Sequence, residues 1–352
     1  MSKYRNRLPQ SHDAVFITDG GLETTLIYHE GIELPAFAAF DLLKDEAGLG
    51  VLRNYYVRYA ELARAHRMGL VLESPTWRAN ADWGRKLGYD ELALADANRK
   101  AIGLMLEIRA ELATATTRMV ISGNVGPRGD GYSPGMRMSA DQARMYHAPQ
   151  IETFASTDAD MVCALTMNYV EEAIGIALAA KACAMPVALS FTLETDGRLP
   201  SGQTLTQAIT QTDRETDGYP AYYMINCAHP MHFTDILRDR GAWLERIGGL
   251  CANASRRSHA ELDQSTELDA GDPQELGAQY RTLSALLPRL AVVGGCCGTD
   301  HRHVDAICHA IQRGPGSART DPQPLHVYSE EFLIGDPAGA SRNSLMRRSL
   351  RR

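Results

Sequence analysis

The chain has 352 residues, which is enough for one large domain or two small ones. Its 44% hydrophobic content can bury a sizeable core, and its net charge of −7 argues against nucleic acid as a partner, because phosphate binding favours a basic surface. No run approaches the ~20 apolar residues that a membrane span needs. The polar start, residues 1–7, lacks an apolar leader, and the seven cysteines have no regular spacing. Free thiols in a reducing, cytoplasmic setting are therefore expected.

Short apolar runs typical of buried strands alternate with helical patterns along most of the chain. The eight predicted strands are residues 14–18, 70–74, 119–127, 160–166, 186–191, 221–226, 247–251 and 290–293. The predicted helices span residues 48–68, 91–114, 140–157, 170–184, 205–212, 233–240, 273–287 and 301–313, with Gly69 closing the first. Eight such strand–helix units predict one α/β domain, a single (β/α)8 TIM-type barrel. A doubly wound open sheet is the alternative.

The barrel is predicted to occupy residues 1–314. Residues 315–352 are rich in Pro, Gly, Ser and Arg and show no long periodic segment, so an irregular C-terminal extension is expected there. Its arginine-rich end, residues 347–352, is interpreted as a solvated tail, with a binding patch as the alternative.

In such barrels the chemistry lies at the carboxyl ends of the strands. The first strand ends in Asp19, Gly20 and Gly21, and the paired glycines allow a tight turn and close approach of the backbone to a ligand. Asp19 and Glu23 make this turn acidic, although an aspartate at such a place is more commonly a capping residue. The other candidates at strand ends are Trp77, Asn124, Thr166, Asn226, Cys227, Asn253, Cys296 and Cys297.

The last strand leads into two adjacent cysteines, Cys296 and Cys297, between glycines that let the backbone leave the strand. Paired soft thiolates suit zinc, but two ligands are too few, and the best candidate for a third is Cys227 at the end of the sixth strand. Three protein thiolates would leave the fourth tetrahedral position open, as in catalytic zinc sites. Packing cysteines and a redox pair remain alternatives that the spacing does not decide.

The remaining cysteines and three histidines have weaker signals. Core packing is expected for the cysteines inside apolar runs or on helix faces, namely Cys163, Cys183, Cys251 and Cys308. His229, two residues after Cys227, is a candidate fourth ligand, although a loop histidine is more often exposed. His301 and His303 follow the cysteine pair on the last helix and are interpreted as supporting or surface residues.

Taken in order, these motifs resemble those of the homocysteine S-methyltransferase family, zinc-thiolate barrel enzymes that methylate homocysteine to methionine. The resemblance covers residues 14–312, and the segments that carry it are residues 19–24, 124–127, 190–192, 226–227, 253 and 294–298. It implies that Cys227, Cys296 and Cys297 bind Zn2+. It also implies that the amino-acid pocket is lined by Asp19 with the backbone of Gly20 and Gly21. The further substrate-binding residues that it implies are Glu23, Thr24, Asn124, Thr166, Asn226 and Asn253.

One position departs from the family pattern. The family usually has a glutamate before the threonine at the end of strand four, where a carboxylate can hold the substrate ammonium group, and this chain has Leu165. Burying an ammonium against leucine forfeits a charge-assisted hydrogen bond worth roughly 1.5–3 kcal/mol. Glu194 and Glu73, from neighbouring strand ends, are the candidates that would compensate. Without them, the acceptor is a thiol other than homocysteine.

The resemblance implies a zinc-dependent transfer of a methyl group to the sulfur of homocysteine. Zinc coordination removes the thiol proton without a general base. Nothing in the chain indicates a cobalamin or folate module, so a small onium donor, S-methylmethionine or S-adenosylmethionine, is expected. Trp77 and Tyr132 are candidates for holding its cation on an aromatic face, with rim packing as the alternative.

Two rival functions stay open at this point. One is the same zinc chemistry on a different thiol or a selenol. The other is a barrel that binds metal or a small ligand, or uses its cysteine pair in redox chemistry, without methyl transfer. The expected partners are a small-molecule thiol acceptor and a methyl-onium donor, and the sequence leaves open whether the chain forms a homo-oligomer.

Overall fold

A closed barrel of eight parallel strands forms the centre of the protein. The computed structural model describes residues 2–12, 14–239 and 241–312. The strands are β1 (Phe16–Ile17), β2 (Gly69–Glu73), β3 (Met119–Val125), β4 (Met161–Met167), β5 (Val187–Phe191), β6 (Tyr222–Asn226), β7 (Ile247–Ala252) and β8 (Val292–Gly295). Each strand pairs with the next, and β8 pairs with β1. This closure confirms the predicted (β/α)8 TIM-type barrel and excludes the open sheet.

Helices cover the outside of the barrel. They are α1 (Leu22–Thr24), α2 (Glu46–His66), α3 (Ala81–Lys86), α4 (Glu91–Leu112), α5 (Ala140–Ala155), α6 (Val170–Ala182), α7 (Leu205–Thr216), α8 (Pro230–Phe233), α9 (His259–Gln264), α10 (Pro273–Ser284) and α11 (His301–Gln312). Side-chain caps start the two longest, because Asp45 and Asp90 each accept a hydrogen bond from a backbone N–H of the first turn. Among the described residues, no helix combines the length and apolar character needed to span a bilayer.

The end of α2 differs from the sequence prediction. Gly69 is predicted to close this helix, but Arg67 does so in a left-handed conformation (φ 56°), with its N–H directed at the carbonyls of the last turn. Gly69 is the first residue of β2, where an added Cβ would lie 2.3 Å from the ring of Phe16. The glycine is therefore required by packing against β1 and not by the helix end.

The predicted helix over residues 233–240 is also wrong. In its place are α8 and a separate 3-10 turn, Ile236–Arg238. His229 caps α8 because its Nδ1 accepts from Met231 N, and Pro230 occupies the first helical position, which fixes the start before the predicted range. The short helices α3 and α9, in the loops after β2 and β7, are missing from the sequence prediction because six residues carry too little periodicity.

Apolar side chains pack in two regions, one inside the barrel and one between strands and helices. Cys163 and Cys251 lie in the barrel interior, while Cys308 is buried in the outer region and Cys183 is half-buried against it. These positions agree with the core packing expected for all four. The predicted boundary at residue 314 and the extension over residues 315–352, with its arginine-rich end, lie outside the described residues.

A buried carboxylate fixes the N-terminal segment to the barrel. Asp160, fully buried just before β4, accepts hydrogen bonds from the backbone N–H groups of Lys3, Tyr4 and Ile121. Arg109 on α4 forms an ion pair with the same carboxylate. The Asp160 carboxylate therefore connects the N-terminal segment, β3, β4 and α4. Replacing it leaves Arg109 and the backbone N–H groups without a charged acceptor.

We expect Asp160→Asn to lower the free energy of unfolding by about 3 kcal/mol, because the Arg109 charge loses its buried partner. Urea denaturation measures this loss. Asp96→Asn, which removes an exposed pair with Lys100, is the matched control and should change stability by less than ~0.5 kcal/mol. Equal effects of the two substitutions would contradict the role assigned to Asp160.

Candidate metal centre and substrate cavity

Three cysteine sulfurs meet at the carboxyl ends of β6 and β8. The Sγ atoms of Cys227, Cys296 and Cys297 all lie within 4.8 Å of one another, and those of Cys227 and Cys297 are 3.8 Å apart. Cys227 directly follows β6 and has a left-handed backbone (φ 54°), so the chain breaks away from the strand at this residue. This group could hold a metal ion, and its residues, 70 positions apart in the sequence, meet because only β7 lies between β6 and β8 in the barrel.

Backbone contacts between the turns after β1 and β8 fix the cysteine pair. Gly21 N donates to Thr299 O at 3.0 Å, and Gly295 N donates to Asp19 O at 2.9 Å. The turns are so close that a Cβ on Gly21 would lie 2.7 Å from the carbonyl oxygen of Cys296. The glycine after β1 is thus required by the cysteine turn beside it.

Asn226 links the three strand ends around the sulfurs. Its Oδ1 accepts from Thr166 N at 2.9 Å and from Ser190 Oγ at 2.6 Å. Its Nδ2 donates to Thr166 Oγ1 at 2.9 Å and points at the Sγ of Cys296, 3.9 Å away. The amide is therefore fully engaged by neighbours, and its contact with the site is a weak hydrogen bond to a cysteine sulfur.

A tyrosine and a histidine from two loops complete the wall beside Cys297. The hydroxyl of Tyr132 lies 3.7 Å from Cys297 Sγ, and its ring stacks on that of His259 with centroids 3.9 Å apart. His259 Nε2 bonds the carbonyl oxygen of Cys227 at 2.6 Å, and Nδ1 is 3.4 Å from a carboxylate oxygen of Glu194. Burial disfavours the charged imidazole, but these two hydrogen bonds outweigh it and raise the pKa of His259.

Sequence reasoning missed His259. The only local signal is the capping box of α9, in which Ser258 and Glu261 bond each other's backbone and so predict a short helix that begins at His259. Nothing in the sequence connects that helix with Cys227, 32 residues earlier.

A cavity of about 90 Å3, here called the inner chamber, extends from the sulfurs into the mouth of the barrel. Besides the three cysteines, its walls include the predicted residues Asp19, Gly20, Gly21, Glu23, Thr24, Trp77, Asn124, Tyr132, Thr166 and Asn226. Leu165 also lines it, as does Glu73, whereas Glu194 is engaged with His259. Of the two carboxylates considered as compensation for Leu165, Glu73 is the one in the chamber.

Several predicted residues lie outside the chamber walls. Asn253 is buried behind them, its N–H bonded to Ala228 O at 3.1 Å. His229, the candidate fourth ligand, is buried as the cap of α8, so the alternative of an exposed loop residue is wrong, and burial lowers its pKa to about 4. His303 is buried against Asp300 and the carbonyl of Ala270, while His301 is exposed. None of these three histidines belongs to the sulfur cluster.

Comparison with known proteins decides the family. The sequence profile described as homocysteine S-methyltransferase matches residues 16–311. The chain belongs to this family. The resemblance carried by its strand-end motifs is thereby confirmed, and the protein is a methyltransferase.

Solved structures show the same fold at low sequence identity. The metallated form of the homocysteine methyltransferase MmuM from Escherichia coli has a TM-score of 0.67 at 18% identity, covering 85% of this chain and 96% of that one. Its oxidized form gives a TM-score of 0.65 at 20% identity, covering 85% and 97% respectively. Its apo form gives 0.59 at 19% identity, covering 85% and 96%. Identities this low establish the fold alone.

Three carboxylates line the inner chamber of this S-methyltransferase family member, the buried Asp19 and Glu73 and the half-buried Glu23. Burial raises the pKa of Asp19 to about 7, opposed by a hydrogen bond with Tyr55, and burial raises the pKa of Glu23 to about 7 as well. Burial and then the charge of Asp19 raise the pKa of Glu73 well above its usual range, against a hydrogen bond with Asn124. Carboxyls that gain protons on burial form a site in which a cation would be stabilised.

A second cavity, here called the outer chamber, adjoins the first and shares with it Thr24, Phe37, Trp77, Tyr132 and Cys297. Four acidic residues lie in its wall, namely Asp130, Asp263, Glu267 and Asp269. Each predicted aromatic residue has one covered face, because Arg78 lies 4.3 Å from the ring centroid of Trp77 and His259 stacks on Tyr132. The two chambers meet at the wall that carries Cys297.

We expect Asp19→Asn to stabilise the metal-free, reduced protein, and to do so more at high pH. Folded Asp19 holds its proton up to about pH 7 while the unfolded residue releases it near 3.8, so the wild-type fold loses stability as the pH rises between these values. The advantage of the variant in urea denaturation should be about 1–3 kcal/mol larger at pH 8 than at pH 5. Exposed Glu107→Gln is the control, and an advantage independent of pH would show that Asp19 is not a buried acid.

Proposed function

We propose that this protein is a zinc-dependent homocysteine S-methyltransferase, which moves a methyl group from a sulfonium donor to homocysteine and gives methionine. The observation that carries the proposal is the cluster of three cysteine sulfurs beside a carboxylate-lined chamber, in a chain of this family. The thiols must stay reduced to act as ligands, which supports a cytoplasmic location.

The donor set fits zinc. A tetrahedral zinc with Zn–S bonds of about 2.3 Å has its sulfurs about 3.8 Å apart, and the Sγ atoms of Cys227 and Cys297 have this separation. The hydrogen-bond donors Asn226 Nδ2 and Tyr132 Oη lie near the sulfurs of Cys296 and Cys297 and would stabilise thiolate charge. Bound there, zinc would supply a Lewis acid that keeps the acceptor sulfur as a thiolate at neutral pH.

The transfer itself is a displacement at carbon. The acceptor sulfur attacks the methyl carbon in line with the leaving group, one C–S bond forms as the donor C–S bond breaks, and the donor departs as a neutral thioether. The acceptor's proton has gone to solvent before this step. Residues of the two chambers would hold the reactants in line, and no general base is required for the displacement.

The inner chamber supports homocysteine as the acceptor despite Leu165. Asp19 and Glu73 lie at the ends of neighbouring strands, β1 and β2, on the wall that a substrate ammonium group would approach. A cation placed there would ionise these carboxyls and replace the missing glutamate of the fourth strand. Thr24 and Asn124, also in the wall, would bind the substrate carboxylate or amine by hydrogen bonds.

The outer chamber supports an onium donor. Four carboxylates against one cation, Arg78, make its wall acidic on balance, and the rings of Trp77 and Tyr132 in this wall are suited to a sulfonium ion. Because this chamber meets the inner one at Cys297, a donor methyl group would face the acceptor sulfur. We propose S-methylmethionine or S-adenosylmethionine as this donor.

A second candidate is the same chemistry on another thiol or on a selenol. Leu165 in the chamber wall favours it, because an acceptor without an ammonium group would pack on leucine without losing a charged hydrogen bond.

Cys297→Ser should release one equivalent of zinc from anaerobically purified protein and abolish methionine formation from L-homocysteine and either donor. Metal analysis and mass spectrometry of the products measure these two losses. Cys183→Ser, at a half-buried cysteine outside the cluster, is the matched control and should leave both unchanged. Zinc content that is the same in Cys297→Ser and in the parent protein would refute the three-thiolate site.

Glu73→Gln should lower kcat/KM for homocysteine by about 10- to 150-fold, since a charge-assisted hydrogen bond to the ammonium is worth roughly 1.5–3 kcal/mol. The same substitution should have little effect on 4-mercaptobutanoate, which lacks the ammonium group. Glu107→Gln, at an exposed glutamate away from the site, is the control. A wild-type enzyme that prefers 4-mercaptobutanoate to homocysteine would instead favour the alternative acceptor.

A further inference from the structure

A second group of metal-ligating side chains lies on the helical layer, away from both chambers. His66 is the last residue of α2, and Asp305 and His309 lie one turn apart on α11. One nitrogen of each histidine and one carboxylate oxygen all lie within 4.8 Å of one another. His66 Nε2 is 2.7 Å from Asp305 Oδ1, and His309 Nε2 is 3.7 Å from Asp305 Oδ2.

The hydrogen bonds of Gln312 fix how His66 presents its ring. Gln312 Nε2 donates to the carbonyl oxygen of His66 at 2.7 Å, so the amide oxygen is the atom 3.3 Å from His66 Nδ1. An amide oxygen can only accept, and Nδ1 therefore carries the hydrogen. With a neutral ring, the Nε2 lone pair then faces a carboxylate oxygen 2.7 Å away, and either a proton or a metal ion is needed between these two atoms.

We propose that His66, Asp305 and His309 form a binding site for a divalent first-row transition ion such as zinc. Two imidazole nitrogens and a carboxylate are the donors that zinc, nickel and cobalt accept. The bond from Nδ1 to Gln312 is the outer contact by which metal-ligating histidines are usually oriented. The side chains of Asp305 and His309 are each 31% exposed, so water can complete the coordination.

The site lies beside the seam of the barrel. Helix α2 lies between β1 and β2 in the chain, α11 follows β8, and β1 meets β8 through only two residue pairs, Phe16–Val292 and Ile17–Val293. An ion held by His66 on one helix and by Asp305 and His309 on the other cross-links the two elements that flank this short pairing. The bound ion therefore stabilises the closed barrel and takes no part in methyl transfer.

The test uses full-length, untagged protein with Cys227→Ser, Cys296→Ser and Cys297→Ser combined, so that the thiolate cluster cannot bind. Titration with Co2+ should show one equivalent bound with weak visible bands, and Zn2+ should compete for it and raise the melting temperature. Adding His309→Gln should weaken binding by about 10- to 100-fold or more and remove the thermal shift. His232→Gln, at a half-buried histidine outside the cluster, should change neither.

A parent variant that binds no Co2+, or that binds it equally after His309→Gln, would overturn the proposal and leave His66 and Asp305 as a hydrogen-bonded pair only. If the triple serine variant does not fold, the wild type is titrated under anaerobic conditions. Cobalt on thiolates gives intense near-ultraviolet charge-transfer bands, and a second equivalent without them should appear in the wild type and disappear in His309→Gln. A single, thiolate-type equivalent in the wild type overturns the site, whatever the activity of the enzyme.

Discussion

The contact between the turns after β1 and β8 is the constraint on which the site depends. These turns belong to opposite ends of the described chain, and they meet because the barrel closes. Backbone hydrogen bonds hold Gly21 to Thr299 and Gly295 to Asp19, and Gly298 N adds a bond to Thr24 Oγ1. A Cβ atom added at any of these three glycines would lie 2.8 Å or less from a neighbouring heavy atom, so a side chain does not fit there. The cysteine pair and the acidic first turn are thereby held as one unit.

The inner chamber has two walls that differ in their chemistry. Sulfur ligands from β6 and β8 form one wall of the inner chamber, and oxygen donors from β1, β2 and β3 form the other. Soft thiolates select a metal such as zinc, whereas buried carboxyls favour an organic cation. A bifunctional acceptor with a thiol at one end and an ammonium at the other matches this polarity. Under the proposed function, the chamber walls would therefore set the orientation of the acceptor as well as its class.

The sequence predicts most of the barrel because eight buried strands and their helices leave long apolar patterns. It also predicts the sulfur cluster, since cysteines at strand ends are unusual and strand ends share one rim. It misses His259, whose bond to Cys227 depends on the path of a loop, and it misplaces Gly69, whose role comes from the ring of Phe16. It offers His229 as a fourth ligand or an exposed loop residue, whereas this histidine is buried as the cap of α8. Such contacts between distant segments leave no periodic signal.

The proposed role of Glu73 would move the binding of the substrate ammonium group from β4 to β2 without any change in the backbone. Parallel strands end at a common rim, so a carboxylate at the tip of β2 can reach the same chamber as one at the tip of β4. Carboxylates at this rim affect one another, because the charge of one buried carboxyl raises the pKa of its neighbour, as Asp19 does for Glu73. Under the proposed function, Glu73 would therefore take the role that a glutamate has at position 165 in the family pattern, and Leu165 would leave the fourth-strand side of the chamber apolar.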